Sequence, residues 1–186
     1  NVIEEVKKDL MGWRLGRIIH VMDRGFSSEE NLRILQRGGG HYIIGERMRA
    51  GKKDVEAALS KRGRFHTIRD NLLVKESVVG DGEARKRYVV AYNPEEAERD
   101  RHKRAEIIRN IEKELESLKQ LPNEAHYKKA CALRAHKVYG KYIRQLKDGT
   151  LKLNKQAIRD EEKYDGKYLI RTSDDTLSLE DVALGY

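Results

Sequence analysis

The chain reads as an α/β protein, and three features predict it. The run Ile18-Ile19-His20-Val21-Met22 is short, apolar and largely β-branched, and a helical pattern follows it almost at once. A second such run, His41-Tyr42-Ile43-Ile44-Gly45, comes directly after that helix, so strand, helix and strand alternate as in a parallel unit. Beyond Gly45 the pattern changes to a glycine-bracketed hairpin, two long amphipathic helices and further short strands, which predicts an α+β unit inserted into the α/β core. The expected division is 1–46 for the first part of the core, 47–164 for the insertion, and 165–186 for the return to the core and the start of its last helix.

A short N-terminal helix precedes the first strand. Buried parallel strands read as near-continuous Val/Ile runs, and ligands of such sheets bind just outside the strands' carboxyl ends. Asp23 sits at that end, in the turn Asp23-Arg24-Gly25-Phe26. An Asp before Gly is also ordinary turn chemistry. A Ser-x-x-Glu capping box within Ser27-Ser28-Glu29-Glu30 then opens a helix. Gly38-Gly39-Gly40 reads as its C-cap and turn, since no Gly-Lys-Ser/Thr follows. A helix is expected around 53–61, with Val55, Ala58 and Leu59 on one face.

Residues 72–79 and 85–92 bracket Gly80-Asp81-Gly82 and should form a hairpin. Asn93-Pro94 supplies an N-cap and a first helical residue, with Glu95 and Glu96 where negative charge suits the helix dipole. Ile107, Ile108, Ile111, Leu115 and Leu118 carry that helix to Leu121, and Pro122-Asn123 breaks it. A second helix over 124–147 would place Cys131, Ala135, Val138, Tyr142 and Leu146 on one arc and Arg134, Lys137, Lys141 and Arg144 on the next. The two helices should fold back as an antiparallel hairpin, with Cys131 a small buried side chain. Strands are expected at 150–158 and 167–171, pairing through a connection that ends in Asp165-Gly166.

Composition narrows the partners. Charged and apolar residues each make up 38% of the 186 residues, and the net charge is +8. Ten Lys or Arg between 124 and 159 (Lys128, Lys129, Arg134, Lys137, Lys141, Arg144, Lys147, Lys152, Lys155, Arg159) face two acids, Glu124 and Asp148. Such a patch is the electrostatic footprint of a polyanion partner, and a solvated basic surface is the plainer alternative. A single cysteine excludes an internal disulfide, and no His-Glu-x-x-His arrangement supports a zinc peptidase. No leader pattern and no bilayer-length apolar run is present in the sequence, so a soluble cytoplasmic protein is expected.

Four separated segments then carry a likeness: Val21-Met22-Asp23-Arg24-Gly25-Phe26, Ser28-Glu29-Glu30-Asn31-Leu32, His41-Tyr42-Ile43-Ile44-Gly45-Glu46-Arg47, and Asp165-Gly166-Lys167-Tyr168-Leu169-Ile170-Arg171-Thr172. Together, in this order, they resemble DDE transposases of bacterial insertion sequences, in the branch with a large insertion in the catalytic domain. The resemblance implies a partial ribonuclease H-like core. It also implies three carboxylates that bind two Mg²⁺ or Mn²⁺ ions about 4 Å apart to cut and rejoin DNA. Asp23 matches the second carboxylate and so is the implied catalytic and metal-binding residue. The first Asp and the Glu of the family have no match here. Tyr186 matches the Tyr that starts the family's Tyr-x2-Arg-x3-Glu-x6-Lys signature.

The expected partner is double-stranded DNA, as transposon end and as target, gripped by Arg134, Lys137, Lys141, Arg144, Lys128 and Lys129. Self-association is a further expectation. The chain reads as a piece of a longer enzyme, inactive when isolated. The alternative is a non-catalytic nucleic-acid-binding module built on a basic helical hairpin, and the third reading is a helical scaffold.

Overall fold

A computed structural model describes residues 2–10, 17–37 and 39–186. It forms two compact units, one made of Asn1–Pro94 with Lys167–Tyr186 and the other of Glu95–Gly166. The first holds a six-stranded sheet with strands β1 (Ile19–Met22), β2 (His41–Gly45), β3 (His66–Arg69), β4 (Leu72–Val79), β5 (Lys86–Tyr92) and β8 (Lys167–Thr172), in the order β1-β2-β8-β5-β4-β3. β1 and β2 run parallel, and every other pairing is antiparallel. The fold is therefore mixed α/β.

Alternation along the strands sorts the core into two faces. Tyr42 and Ile44 of β2, Leu169 and Arg171 of β8, and Tyr88 and Val90 of β5 share one face, since Ile44 and Tyr88 both pair with Arg171 and Leu169 pairs with Val90. Helices α1 (Val2–Leu10) and α2 (Glu29–Gln36) cover its β2 side with Ile3, Leu32 and Leu35. Helix α3 (Lys53–Ser60) covers its β5 side with Val55 and Ala58, both fully buried. Ile43, Val74, Val89, Ala91 and Ile170 point to the other face, where α7 (Leu179–Gly185) seats Val182 against them. Burying one side chain of this size contributes on the order of 1.5–3 kcal/mol, so these positions dominate the unit's stability.

The hairpin of β4 and β5 belongs to this sheet and not to the insertion. β5 pairs with β8 over six residues, from Arg87 opposite Thr172 to Tyr92 opposite Lys167, and those backbone bonds fasten it to the strand beside β2. The expected boundary near 46 thus moves to Pro94, and the return falls at Lys167. The first strand also differs from expectation. Among the described residues β1 has a neighbour on one side only and lies at an end of the sheet, and Val21 is half exposed.

The second unit contains α4 (Pro94–Leu118), α5 (Asn123–Ala135), the small hairpin of β6 (Ile143–Gln145) and β7 (Leu151–Leu153), and α6 (Lys155–Glu162). Ile111 and Leu118 of α4 meet Leu133 of α5, and Lys129 reaches back to Glu114 and Ser117, so the predicted helical pair forms. The second helix, however, ends at Ala135 instead of Lys147. His136 turns extended, and its Nδ1 accepts the amide hydrogens of Val138 and Tyr139, which offers the backbone an alternative to another helical turn. Tyr142 and Ile143 are then drawn into the core beside Leu133. Cys131 is exposed, not buried, since the arc that would bury it belongs to a longer helix than the one that forms.

The strand expected at 150–158 survives as three residues. Asn154 accepts the amide hydrogen of Ala157 and caps α6, so the chain turns helical where the sequence pattern predicts continued pairing. β7 pairs with β6, and β8 lies in the large sheet. At the predicted capping box of α2, Ser28 and not Ser27 is the cap, accepting from the Asn31 amide; on α7, Ser178 and Asp181 complete a capping box. Gly38 of the glycine triplet lies outside the described residues. Among the described residues no helix is long and apolar enough to cross a membrane.

Candidate active site

Asp23 follows β1 directly, at the carboxyl end of the parallel pair. Its backbone is extended, its Oδ1 accepts the amide hydrogen of Arg24 at 2.7 Å, and its carbonyl accepts that of Phe26 at 3.0 Å. Asp23 therefore caps a single 3-10 turn, so the turn reading holds. The carboxylate is nevertheless exposed, and it lines an open cleft of roughly 840 Å³. The exposed guanidinium-bearing residues Arg24, Arg47 and Arg49 line the same cleft. Glu46 also lines this cleft, but its side chain is almost wholly enclosed, so one exposed carboxylate stands among three arginines, which suits an anionic ligand that also needs an oxygen donor for a cation.

Tyr186 closes one side. Its hydroxyl stands 3.5 Å from Oδ1 of Asp23, and burial together with the Asp23 charge pushes the phenol up, which keeps the proton available for donation. This approach depends on Gly45. A Cβ there would fall 2.1 Å from the Tyr186 hydroxyl oxygen, so the last residue of β2 has to be glycine for the ring to lie where it does. The sequence places Asp23 and Tyr186 in separate motifs, and the fold brings them together.

Sequence reasoning missed Glu46. It follows β2 as Asp23 follows β1, and that shared position was the available signal. The Glu46 side chain is 1% exposed, 3.3 Å from Lys52 and 3.7 Å from Arg171. Arg171 is itself buried, pairs with Glu29 at 2.9 Å and lies over the Tyr42 ring. Lys86 joins Glu29 to Asp54 at 3.1 and 2.6 Å, and the Tyr88 hydroxyl donates to Asp54 at 2.9 Å. Burial alone would raise the Asp54 carboxyl, but the Lys86 and Tyr88 hydrogen bonds reverse it and hold the group at about 2. Burial and the bond to Asp54 push the Tyr88 phenol up.

Of the six predicted DNA-binding residues, the four expected on one helical face, Arg134, Lys137, Lys141 and Arg144, do not share it, because the helix ends at Ala135. Lys128 pairs with Glu124 within α5, and Lys129 pairs with Glu114 of α4. Arg134 is exposed on the last turn of α5, and Lys137 lies exposed in the turn beyond it. Lys141 pairs with Glu161 at 2.6 Å, and Arg144 stands exposed on β6. Among the described residues no three His, Cys, Asp or Glu side chains gather closely enough to hold a metal ion. Compared with protein-family models, with curated proteins and with solved structures, the chain matches none.

Proposed function

We propose that this chain carries part of the catalytic domain of a DDE-type transposase, and that Asp23 is one of its metal-binding carboxylates. The observation that carries the reading is the exposed Asp23 carboxylate beyond the carboxyl end of a parallel pair, in a cleft lined by Arg24, Arg47 and Arg49. The arginines suit the phosphodiester of DNA, and a hard divalent ion favours a carboxylate oxygen. A two-ion centre needs more than this. Glu46, the other acid at this end of the sheet, is enclosed and turned toward Lys52 and Arg171, so the described residues do not by themselves make the site. On this reading the family's other carboxylates, which have no match among these residues, are not supplied by the groups that line this cleft. Mg²⁺ or Mn²⁺, when bound, would supply Lewis-acid stabilisation at the scissile phosphate. Tyr186 would hold Asp23 in place by hydrogen bonding, and the arginines would orient the phosphate.

The test is supercoiled-plasmid nicking and end joining by an extended protein that contains residues 1–186. Asp23→Asn should abolish Mg²⁺-dependent cleavage while DNA binding and folding persist, since Asn keeps the shape and loses the charge. Full nicking activity in Asp23→Asn overturns the assignment. The second reading, a non-catalytic nucleic-acid-binding module, is favoured by the exposed cations of the second unit.

A further inference from the structure

We infer that the second unit has a phosphate-backbone groove formed by Arg144, Lys152, Lys155 and Arg159, with double-stranded DNA as its occupant. Arg144 and Lys152 are directly opposite each other in the β6–β7 hairpin, a placement in which like charges repel. Lys155 and Arg159 stand four apart on α6, about 6 Å along the helix axis, where like charges again oppose each other. The first turn of α6 has no acid to offset its dipole, so the amide end adds positive potential beside Lys155. All four side chains line one groove of roughly 740 Å³ and all are exposed.

Several other cations of this unit are matched to acids; these four are not, and what sets them apart from the unit's remaining unmatched cations, such as Arg134 and Lys137, is that all four line one groove. Lys128, Lys129, Lys141 and Lys163 each have a carboxylate within 4.0 Å, whereas none of the four forms such a pair among the described residues. The groove's acids are Glu112 and Glu116, and Glu116 is taken by Lys119 at 2.7 Å. Two like-charged pairs converge on one open groove, and although Asp148 and Asp160 lie near Lys152 and Arg159, cations outnumber acids in its lining, which suits a bound polyanion. The choice of DNA over an acidic protein rests on the transposase reading and on the groove's strongly positive lining, which is the character of DNA-facing surfaces. The sequence alone places the grip at 128–144, and the structure shifts it toward 144–159.

The test uses the whole chain and labelled duplexes of two unrelated sequences, titrated by fluorescence anisotropy between about 50 and 200 mM salt. Replacing all four residues by Ala should weaken binding to both duplexes at least about tenfold and flatten the slope of log K against log salt by about 0.9 for each phosphate no longer neutralised. Lys152→Glu should also weaken binding while keeping or raising Tm, because it turns a repulsive cross-strand pair with Arg144 into an attractive one. Lys103→Glu, an exposed change of equal charge on α4, is the control and should weaken binding far less. The groove is refuted if Lys103→Glu matches Lys152→Glu, if the four-Ala variant keeps the parental slope, or if poly-glutamate displaces DNA at equal charge concentration. Each is a binding readout, so failure here leaves the Asp23 assignment standing, and failure of Asp23→Asn in cleavage leaves the groove standing.

Discussion

The turns after β1 and β2 stand side by side, and each opens with an acid, yet the two acids live in different chemistry. Asp23 is exposed, bonded through one oxygen to the turn it caps, with a tyrosine hydroxyl nearby. Glu46 is enclosed, with Lys52 and Arg171 beside it and a second chain of charges, Glu29, Lys86 and Asp54, running on from Arg171. β1 ends the sheet among the described residues and its turn carries Asp23 into solvent, while β2 is flanked on both sides and, of its otherwise largely exposed turn, only the first residue, Glu46, is drawn inside. Position after a strand thus brings a carboxylate to the right end of the sheet, but coverage decides whether it serves the fold or a ligand.

The largest way to probe this contrast is Arg171→Met. Removing a buried cation leaves Glu46 and Glu29 without it, and breaking such a pair costs about 3–5 kcal/mol. Urea denaturation should show the loss, and adding Glu46→Met should restore most of it, because a well-packed apolar pair replaces the ions. A single variant within about 1 kcal/mol of the parent would mean that Arg171 holds nothing together.

Asp54→Asn should have a smaller effect, about 2 kcal/mol for a hydrogen bond to a charged group. Its pH signature has a definite sign. The folded carboxyl lies below its ordinary value, so its contribution is present above 3.8 and is lost as pH falls from 3.8 toward about 2. Melting curves across that window should decline less steeply for Asp54→Asn than for the parent. Equal declines would show that another group controls the acid limb.

Asp23→Asn should change stability least, by under about 0.5 kcal/mol, since the residue is exposed and Asn can still accept the Arg24 amide hydrogen. A large drop in Tm would sharpen the comparison against us, making Asp23 as structural as Glu46.

Local patterns settled much of this molecule. The strands at 19–22, 41–45 and 72–79, the helix at 53–60, the helical start at Pro94 and the break at Pro122 follow from alternation, helical spacing and turn residues that act within a few positions. Asp23's place at a strand's carboxyl end and the basic bias of 124–159 are legible for the same reason. Strand partners are not, because pairing joins residues far apart in sequence: the pattern sets β8 beside its near neighbour, and it lies between β2 and β5. The end of α5 at Ala135 depends on a histidine ring competing for backbone amides and on a core that needs Tyr142. Only packing separated Glu46 from Asp23, set Tyr186 over Gly45, and left Arg144 and Lys152 facing each other, since burial and opposition are relations between distant segments that no local spacing records.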